Sequence, residues 1–538
     1  MKKLVSRFMA VLMAMTMILS MSMTAFAAEA PKGTLTVNNT VAGKTLDLYQ
    51  IFTATKNGDN VAYTLNSAYE GFFKNNTRIP GSESLTGEAL SEKAYEYVKT
   101  QVGTDGKSGT GFAKEILGWI LENATTVATT HTTATTTAGS TVISGLEYGY
   151  YVVYPLGATD TSAAPGEQDY TSVASLVSVT GDTSINMKSN YPTVVKKVND
   201  KTADDVNIGD TVTYTLTSKV PDMTGYTSYV FNFKDTLSAG LTFKEITSVT
   251  VGDTTITKVE AGQEANDTYT LTQAGQNITI TMNNFLASNA NKAGQEIKVT
   301  YTATLNKDAV TGFDPNTNKA TVEYSNKPGT DDKGESEPSK VDVHTFNFTI
   351  FKYYLKGETK TGLANAEFEL YKANEAGDAA DTNAKINIVD EGKGVYRQAT
   401  ADEAKATGFT SAKIVSDADG KVLVKGLDAG TYYLREIKAP EGYNKLLSDI
   451  KVVIKADYDV KTGKLTSYSV DYTYNGKTTN GAAITNKTDS PEVAVENKTG
   501  AQLPSTGSKG ALMVTLAGIV LFGVLTASKA FGKKKAKN

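Results

Sequence analysis

Along most of this chain apolar residues fall at every second position in short runs. The runs include GTLTVNNTV at 33–41, TVTYTLTSKV at 211–220, EIKVTYTATL at 296–305, FNFTIFKYYL at 346–355, GTYYLREI at 430–437 and PEVAVEN at 491–497. They are rich in Val, Ile, Thr and Tyr, and Gly, Asn and Asp punctuate them. A period of two with β-branched and aromatic residues predicts half-buried strands, and many short ones at close spacing predict β-sandwiches. Two segments break the pattern. EALSEKAYEYVKTQV at 88–102 and GFAKEILGWILENATT at 111–126 repeat their apolar residues at three and four, which predicts helices inserted in the first domain.

The ends read differently. Residues 1–27 begin with Lys2, Lys3 and Arg7, continue as an apolar, Met-rich run and close on Ala25-Phe26-Ala27, so a secretory signal peptide cleaved after Ala27 is expected. Residues 511–528 are apolar or small and uncharged, long enough for a tilted membrane helix. A basic cytoplasmic tail, 529–538, follows with Lys533, Lys534, Lys535 and Lys537. Taken alone, this end is a single-pass anchor. The pentapeptide before it, Leu503-Pro504-Ser505-Thr506-Gly507, adds a third ordered part.

Composition narrows the chemistry. The 538 residues include no Cys and only two His, His131 and His344. Disulfides and Cys metal sites are thereby excluded, and a His-based triad would need one of two isolated residues. A secreted hydrolase is disfavoured, and no metal or cofactor is expected. Loss of three positive charges with the signal and six beyond Thr506 takes the formal net charge from −4 to −13. An acidic surface of that kind argues against nucleic-acid binding.

Length suggests roughly three domains. The expected boundaries are 28–190, 191–345 and 346–500, with SNYPTVVKKVND marking the first junction because Pro192 favours an extended link. SNKPGTDDKGESEPSK at 325–340 reads as a loop before a last strand. The Thr-rich stretch at 125–141 reads as a solvated loop, with O-glycosylation as the alternative.

These parts resemble a known family. LPSTG, an apolar span and a basic tail resemble the cell-wall sorting signal of Gram-positive surface proteins. FTIFKYYLKGETKTGLANAEFELYK and YYLREIKAPEGYN resemble the collagen-adhesin B-type domains of Gram-positive pilins. YPTVVKKV, NIGDTVTYTLTSKVPD, YVFNFKDTLSAGLTF and NKATVEYSNKP resemble the isopeptide-forming middle (A-type) domain of the same pilins. The resemblance implies an all-β chain of tandem immunoglobulin-like sandwiches: an N-terminal pilin domain, a middle fimbrial domain and a C-terminal domain with an E-box. It also implies a sortase that cuts between Thr506 and Gly507 and passes the Thr carbonyl to an amine.

The same resemblance implies spontaneous Lys–Asn amide bonds. In the third domain Lys352 would be the nucleophile, Glu436 the promoting acid and Asn497 the acceptor, with Asn486 as the alternative. In the second domain the set would be Lys196, Asp235 and Asn326. The residue types suit the reaction, since a buried Lys has a depressed pKa and becomes a neutral nucleophile, while a buried acid stays protonated and can polarise an amide carbonyl. Lys197 points to the opposite strand face from Lys196, so only one of them can be internal. The first domain has no lysine inside its first strand, and no internal bond is expected there. For polymerisation, Lys188 is the expected intersubunit acceptor and Lys197 the alternative; Tyr191-Pro192 here follows Lys188 instead of preceding it, and Thr193 comes next.

The function implied is a structural pilus backbone subunit on the cell surface, with adhesion and colonisation as its wider roles. It would not be a turnover enzyme, its internal bonds being single autocatalytic events. The partners implied are a class C-type pilus sortase, a housekeeping sortase, other copies of the chain, minor pilins, peptidoglycan and host-surface ligands. The alternatives are a monomeric wall-anchored adhesin and a minor pilin at the tip or base.

Overall fold

The computed structural model describes residues 31–102, 109–158, 173–187 and 191–500. The signal segment, Lys188, the LPSTG motif and the apolar run lie outside these residues. Most of the described elements are strands, and the chain forms two compact units. The first comprises residues up to Val310, Asp314–Thr345 and Tyr458–Leu465, and the second Thr311–Phe313, Phe346–Asp457 and the rest from Thr466.

Among the described residues, four sheets build the first unit. Residues 191–345 and the residues before them, read as separate domains from sequence, lie in this one unit with a pair of sheets each. In the earlier pair the strand Lys32–Thr40 is flanked by Gly139–Glu147, antiparallel, and Asp182–Asn186, parallel. Facing it is a sheet centred on Thr45–Asn57 and Gly149–Pro155. Leu35, Val37, Leu46, Leu48, Val153 and Val177 close between the two.

The predicted helices form at Gly87–Val102 and Gly109–Glu122. Leu90, Ala94 and Val98 recur every four residues on one helix, and Phe112, Ile116 and Ile120 on the other, so each presents a single apolar face. Those faces bury the side of Thr45–Asn57 that carries Tyr49, Ile51 and Phe52. The strand therefore has no solvent face over much of its length.

The second pair of sheets holds the first cluster described below. One runs Leu241–Val251, Glu296–Leu305, Thr211–Lys219, Val195–Val198. The other places Phe231–Leu237 between Asn277–Met282 and Asn316–Ser325, with Ser339–His344 beyond. Their inward residues, including Val212, Tyr214, Leu216, Phe233, Val299, Tyr301 and Val322, are almost fully buried. Lys44 joins the earlier pair of sheets to this one: its Nζ donates to Tyr324 Oη at 3.3 Å and sits 4.8 Å from the centre of the Tyr191 ring.

The second unit is again two sheets. Phe346–Lys356 runs between Lys421–Leu427, antiparallel, and Glu492–Glu496, parallel. Gly430–Lys438 lies in the other sheet, between Glu367–Ala373 and Ile450–Tyr458. The first and last strands of the unit are thus direct neighbours running the same way.

Candidate functional site

Alternation puts lysine in both cores. In Val195–Val198 the burial pattern is exposed, buried, exposed, buried, so Lys196 points inward and Lys197 outward. Lys352 is inward by the same rule on Phe346–Lys356, and is 0 % exposed. A buried lysine needs a partner, because an uncompensated charge in an apolar core costs several kcal/mol or more.

Lys196 has two partners. Its Nζ bonds to Asp235 Oδ2, and it donates to Tyr301 Oη at 2.7 Å. Tyr301 Oη in turn donates to Asp235 Oδ2 at 2.7 Å. Nζ lies 4.9 Å and 5.0 Å from the ring centres of Tyr214 and Tyr301, which stack 5.1 Å apart. Burial lowers the Lys196 pKa from its ordinary 10.5 to about 8, against the opposing pull of Asp235. Burial, reinforced by the Asp235 carboxylate, holds the Tyr301 hydroxyl well above the usual phenol range.

The amide in this cluster belongs to Asn318, not Asn326. Asn318 is fully buried and its Nδ2 donates to Tyr301 Oη at 2.7 Å. Its Oδ1 and the Oδ1 of Asp235 are buried and accept no hydrogen bond. Strand pairing explains the placement. Asp235 is opposite Ala320 and Leu237 opposite Asn318, so Asn318 stands two residues from the acid's own partner. Asn326 lies just past the end of that strand, eight residues from Asn318 and about 26 Å along an extended chain. Its backbone N–H bonds to Asp332 in the following turn.

Lys352 Nζ lies 3.0 Å from Glu436 Oε1, with both side chains sealed from solvent. The Phe368 ring centre is 5.6 Å from Nζ. Burial pushes the Lys352 pKa down to about 8, with Glu436 opposing. Glu436 Oε2 accepts from the backbone N–H of Leu446 at 2.7 Å and from Asn497 Nδ2 at 3.3 Å. Asn497 Nδ2 also donates to the carbonyl of Asn444 at 2.5 Å, and its Oδ1 is buried without a partner. The loop after the E-box strand therefore orients both the acid and the amide.

Asn486 is elsewhere. It is exposed and caps its own turn, bonding Thr488 and Asp489. Gly420 supports Lys352 from behind: its carbonyl accepts from the Lys352 N–H at 2.7 Å, its φ is +75°, and a Cβ there would sit 2.1 Å from the Lys352 carbonyl oxygen. Only glycine satisfies both conditions.

The two clusters differ in what they connect. Lys196 and Asn318 lie on opposite sheets of one sandwich. Lys352 lies on one strand and Asn497 one residue past the end of its parallel neighbour in the same sheet, with the acid reaching across from the other sheet. Among the described residues no group of His, Cys, Asp or Glu is arranged to hold a metal ion, and no helix is long and apolar enough to cross a membrane. Sequence reading missed Asn318 and Tyr301. The signal for Asn318 was present, because NKATVEYSNKP begins on it.

Fold and clusters together define a chain of β-sandwiches whose last two sheet pairs each bury a lysine, an acid and an asparagine amide. Residues 208–328 match the Gram-positive pilin backbone subunit 2, Cna-B-like domain, and residues 352–467 match the SpaA prealbumin-like fold domain. The chain thus carries a domain of Gram-positive pilin backbones and a prealbumin-like domain. It is 28 % identical over 330 residues to the trypsin-resistant surface T6 protein of Streptococcus pyogenes serotype M6, covering 55 % of this chain and 51 % of that one. It is 25 % identical over 366 residues to fimbrial subunit type 2 of Actinomyces naeslundii, covering 64 % and 61 %. The matched region thus spans about half to three-fifths of these two relatives. Among solved structures it is similar to the T6 backbone pilin of serotype M6 Streptococcus pyogenes, at 17 % identity and a TM-score of 0.45, covering 88 % of this chain and all of that one.

Proposed function

We propose that this chain is the structural shaft subunit of a covalently polymerised pilus on the surface of a Gram-positive cell. The observation that carries the reading is the pair of buried Lys–acid–Asn clusters, whose acids, Asp235 and Glu436, fall in the matched segments 208–328 and 352–467. Each cluster has the parts for one self-reaction. The neutral Lys amine attacks the Asn side-chain carbonyl carbon, the acid takes up the proton that the amine sheds and passes it on toward the departing amide nitrogen, and ammonia leaves. One C–N bond forms and one breaks, with no external reactant. The bonds assigned are Lys196–Asn318, promoted by Asp235, and Lys352–Asn497, promoted by Glu436.

Between subunits, a sortase would cut after Thr506 and pass its carbonyl to a lysine of the next copy. Lys188 is the first candidate, and Lys197 is supported by its exposure on the outer strand face. Linking one surface to a different one leaves an open end, so the product grows as a fibre. The test is an immunoblot of enzymatically released cell wall boiled in detergent, comparing wild type with Lys188→Ala and Lys197→Ala. A ladder lost in one variant gives the shaft and its acceptor. A single monomer-sized band in wild type replaces the shaft with a wall-anchored adhesin.

A further inference from the structure

The two clusters deliver the acid to the amide by different routes. At Lys352 the contact is direct, with Asn497 Nδ2 donating to Glu436 Oε2. At Lys196 the connection runs through a phenol. Tyr301 Oη touches the nucleophile at 2.7 Å, the acid at 2.7 Å and the acceptor amide nitrogen at 2.7 Å. One hydroxyl therefore meets all three reacting groups.

The leaving group sets the requirement. Attack by Lys196 Nζ on Asn318 Cγ gives a tetrahedral centre, from which Nδ2 departs only if it gains a proton. The proton in surplus is the one that Nζ sheds as its new bond forms, and Asp235 Oδ2 is the base bonded to Nζ. Nδ2 is bonded to the Tyr301 hydroxyl oxygen, which accepts from it in the unreacted cluster while giving its own hydrogen bond to Asp235; once Cγ is tetrahedral, Nδ2 carries a lone pair and can accept the phenol proton in turn. We infer that Tyr301 is a catalytic residue of the Lys196–Asn318 reaction, relaying that proton from Asp235 to the departing Asn318 nitrogen. In the relay, Asp235 returns a proton to Tyr301 Oη as Tyr301 Oη–H gives its own to Nδ2. The phenol ends as it began, and lysine amine plus asparagine amide become a secondary amide plus ammonia. Burial keeps the Tyr301 hydroxyl protonated, so it holds a proton to give. Tyr324 is buried in the same sandwich and its hydroxyl accepts from Lys44, outside the cluster, which makes it the control for loss of a buried phenol hydroxyl.

This inference rests on the proposed Lys196–Asn318 bond, and one experiment separates the two. Residues 28–506 are made by cell-free translation as wild type, Tyr301→Phe and Tyr324→Phe. Both cross-linked peptides are followed in time by mass spectrometry after proteolysis. In each molecule Lys352–Asn497 serves as an internal clock for folding. The expected result is that Tyr301→Phe slows Lys196–Asn318 formation by about 100-fold or more, leaving Lys352–Asn497 and the Tyr324→Phe chain unchanged. Equal rates in Tyr301→Phe and wild type overturn the relay. Absence of the Lys196–Asn318 peptide from wild type overturns the bond itself. Should Tyr301→Phe lose its fold, 3-fluorotyrosine at 301 decides: the relay predicts an altered pH–rate profile at this bond alone, and an unaltered profile overturns it.

Discussion

Lys352 is the register partner of Val495 across a parallel strand pair, which brings Asn497, two residues on, to the same sheet face and beneath Glu436. An amide bond there would tie the first strand of the second unit to its last. Parallel neighbours pulled from opposite ends must shear along their whole ladder, and the cross-link lies in that path.

The first expectation concerns mass. The mature chain should be lighter than its sequence mass by two ammonia molecules. Glu436→Ala should abolish one loss and Asp235→Ala the other. Intact-mass spectrometry reads this directly, and a full sequence mass in the unmodified chain rejects both bonds.

Acceptor identity is a sharper matter. Asn318→Ala should remove the Lys196 cross-linked peptide, whereas Asn326→Ala should leave it in place. By the same reasoning Asn497→Ala removes the Lys352 peptide and Asn486→Ala does not, because Asn486 lies in an exposed turn bonded to its own neighbours. The reverse outcome for either pair would reject the geometry described for that cluster.

Stability should depend on the second bond without any dependence on redox conditions. Closing a loop from 352 to 497 restricts the unfolded chain by roughly 5 kcal/mol on the chain-entropy model. Glu436→Gln should therefore lower the melting transition of the second unit by about 10–20 °C. Calorimetry with and without a thiol reductant checks both parts. The reductant should change nothing, since the chain has no cysteine.

pH should act on rate and on stability through the same lysines. Folded but unreacted Lys352 and Lys196 have pKa values lowered to about 8 by burial. The neutral amine, and so the cross-linking rate, should grow about tenfold per pH unit below 8 and level off above it. For stability the sign follows from proton counting. Between about 8 and the ordinary 10.5 the unfolded chain binds more protons, so a chain unable to cross-link becomes more stable as pH rises through that window. The difference between Asn497→Ala and Asn497→Ala/Lys352→Met, measured by denaturant titration at several pH values, isolates the Lys352 share. A flat difference would mean that the buried amine keeps its ordinary affinity for protons.

Much of this was legible in the order of residues. A period of two marked the strands and, at Val195–Val198, required that only one of Lys196 and Lys197 enter the core; the structure puts Lys196 inside. A period near four placed Leu90, Ala94 and Val98 on one helix face. The E-box resemblance pointed to Glu436, and the last alternating run to Asn497. Parity was no guide to the acceptor in the other cluster. Asn318 and Asn326 are eight residues apart, an even number, so in an unbroken strand they would share a face and alternation cannot choose between them. Depth along the strand chooses, and depth is fixed by pairing: Asp235 opposite Ala320 brings Asn318 to the acid and leaves Asn326 at the turn. Tyr301 was hidden for a related reason. In sequence it is one more inward aromatic on an alternating strand, and its three polar contacts come from strands 17 to 105 residues away. Sequence by itself determined which side chains face inward, because that is a local property of an extended backbone. Only the tertiary structure decided which inward side chains meet, because strand register and sheet stacking are set by the packing of the whole sandwich.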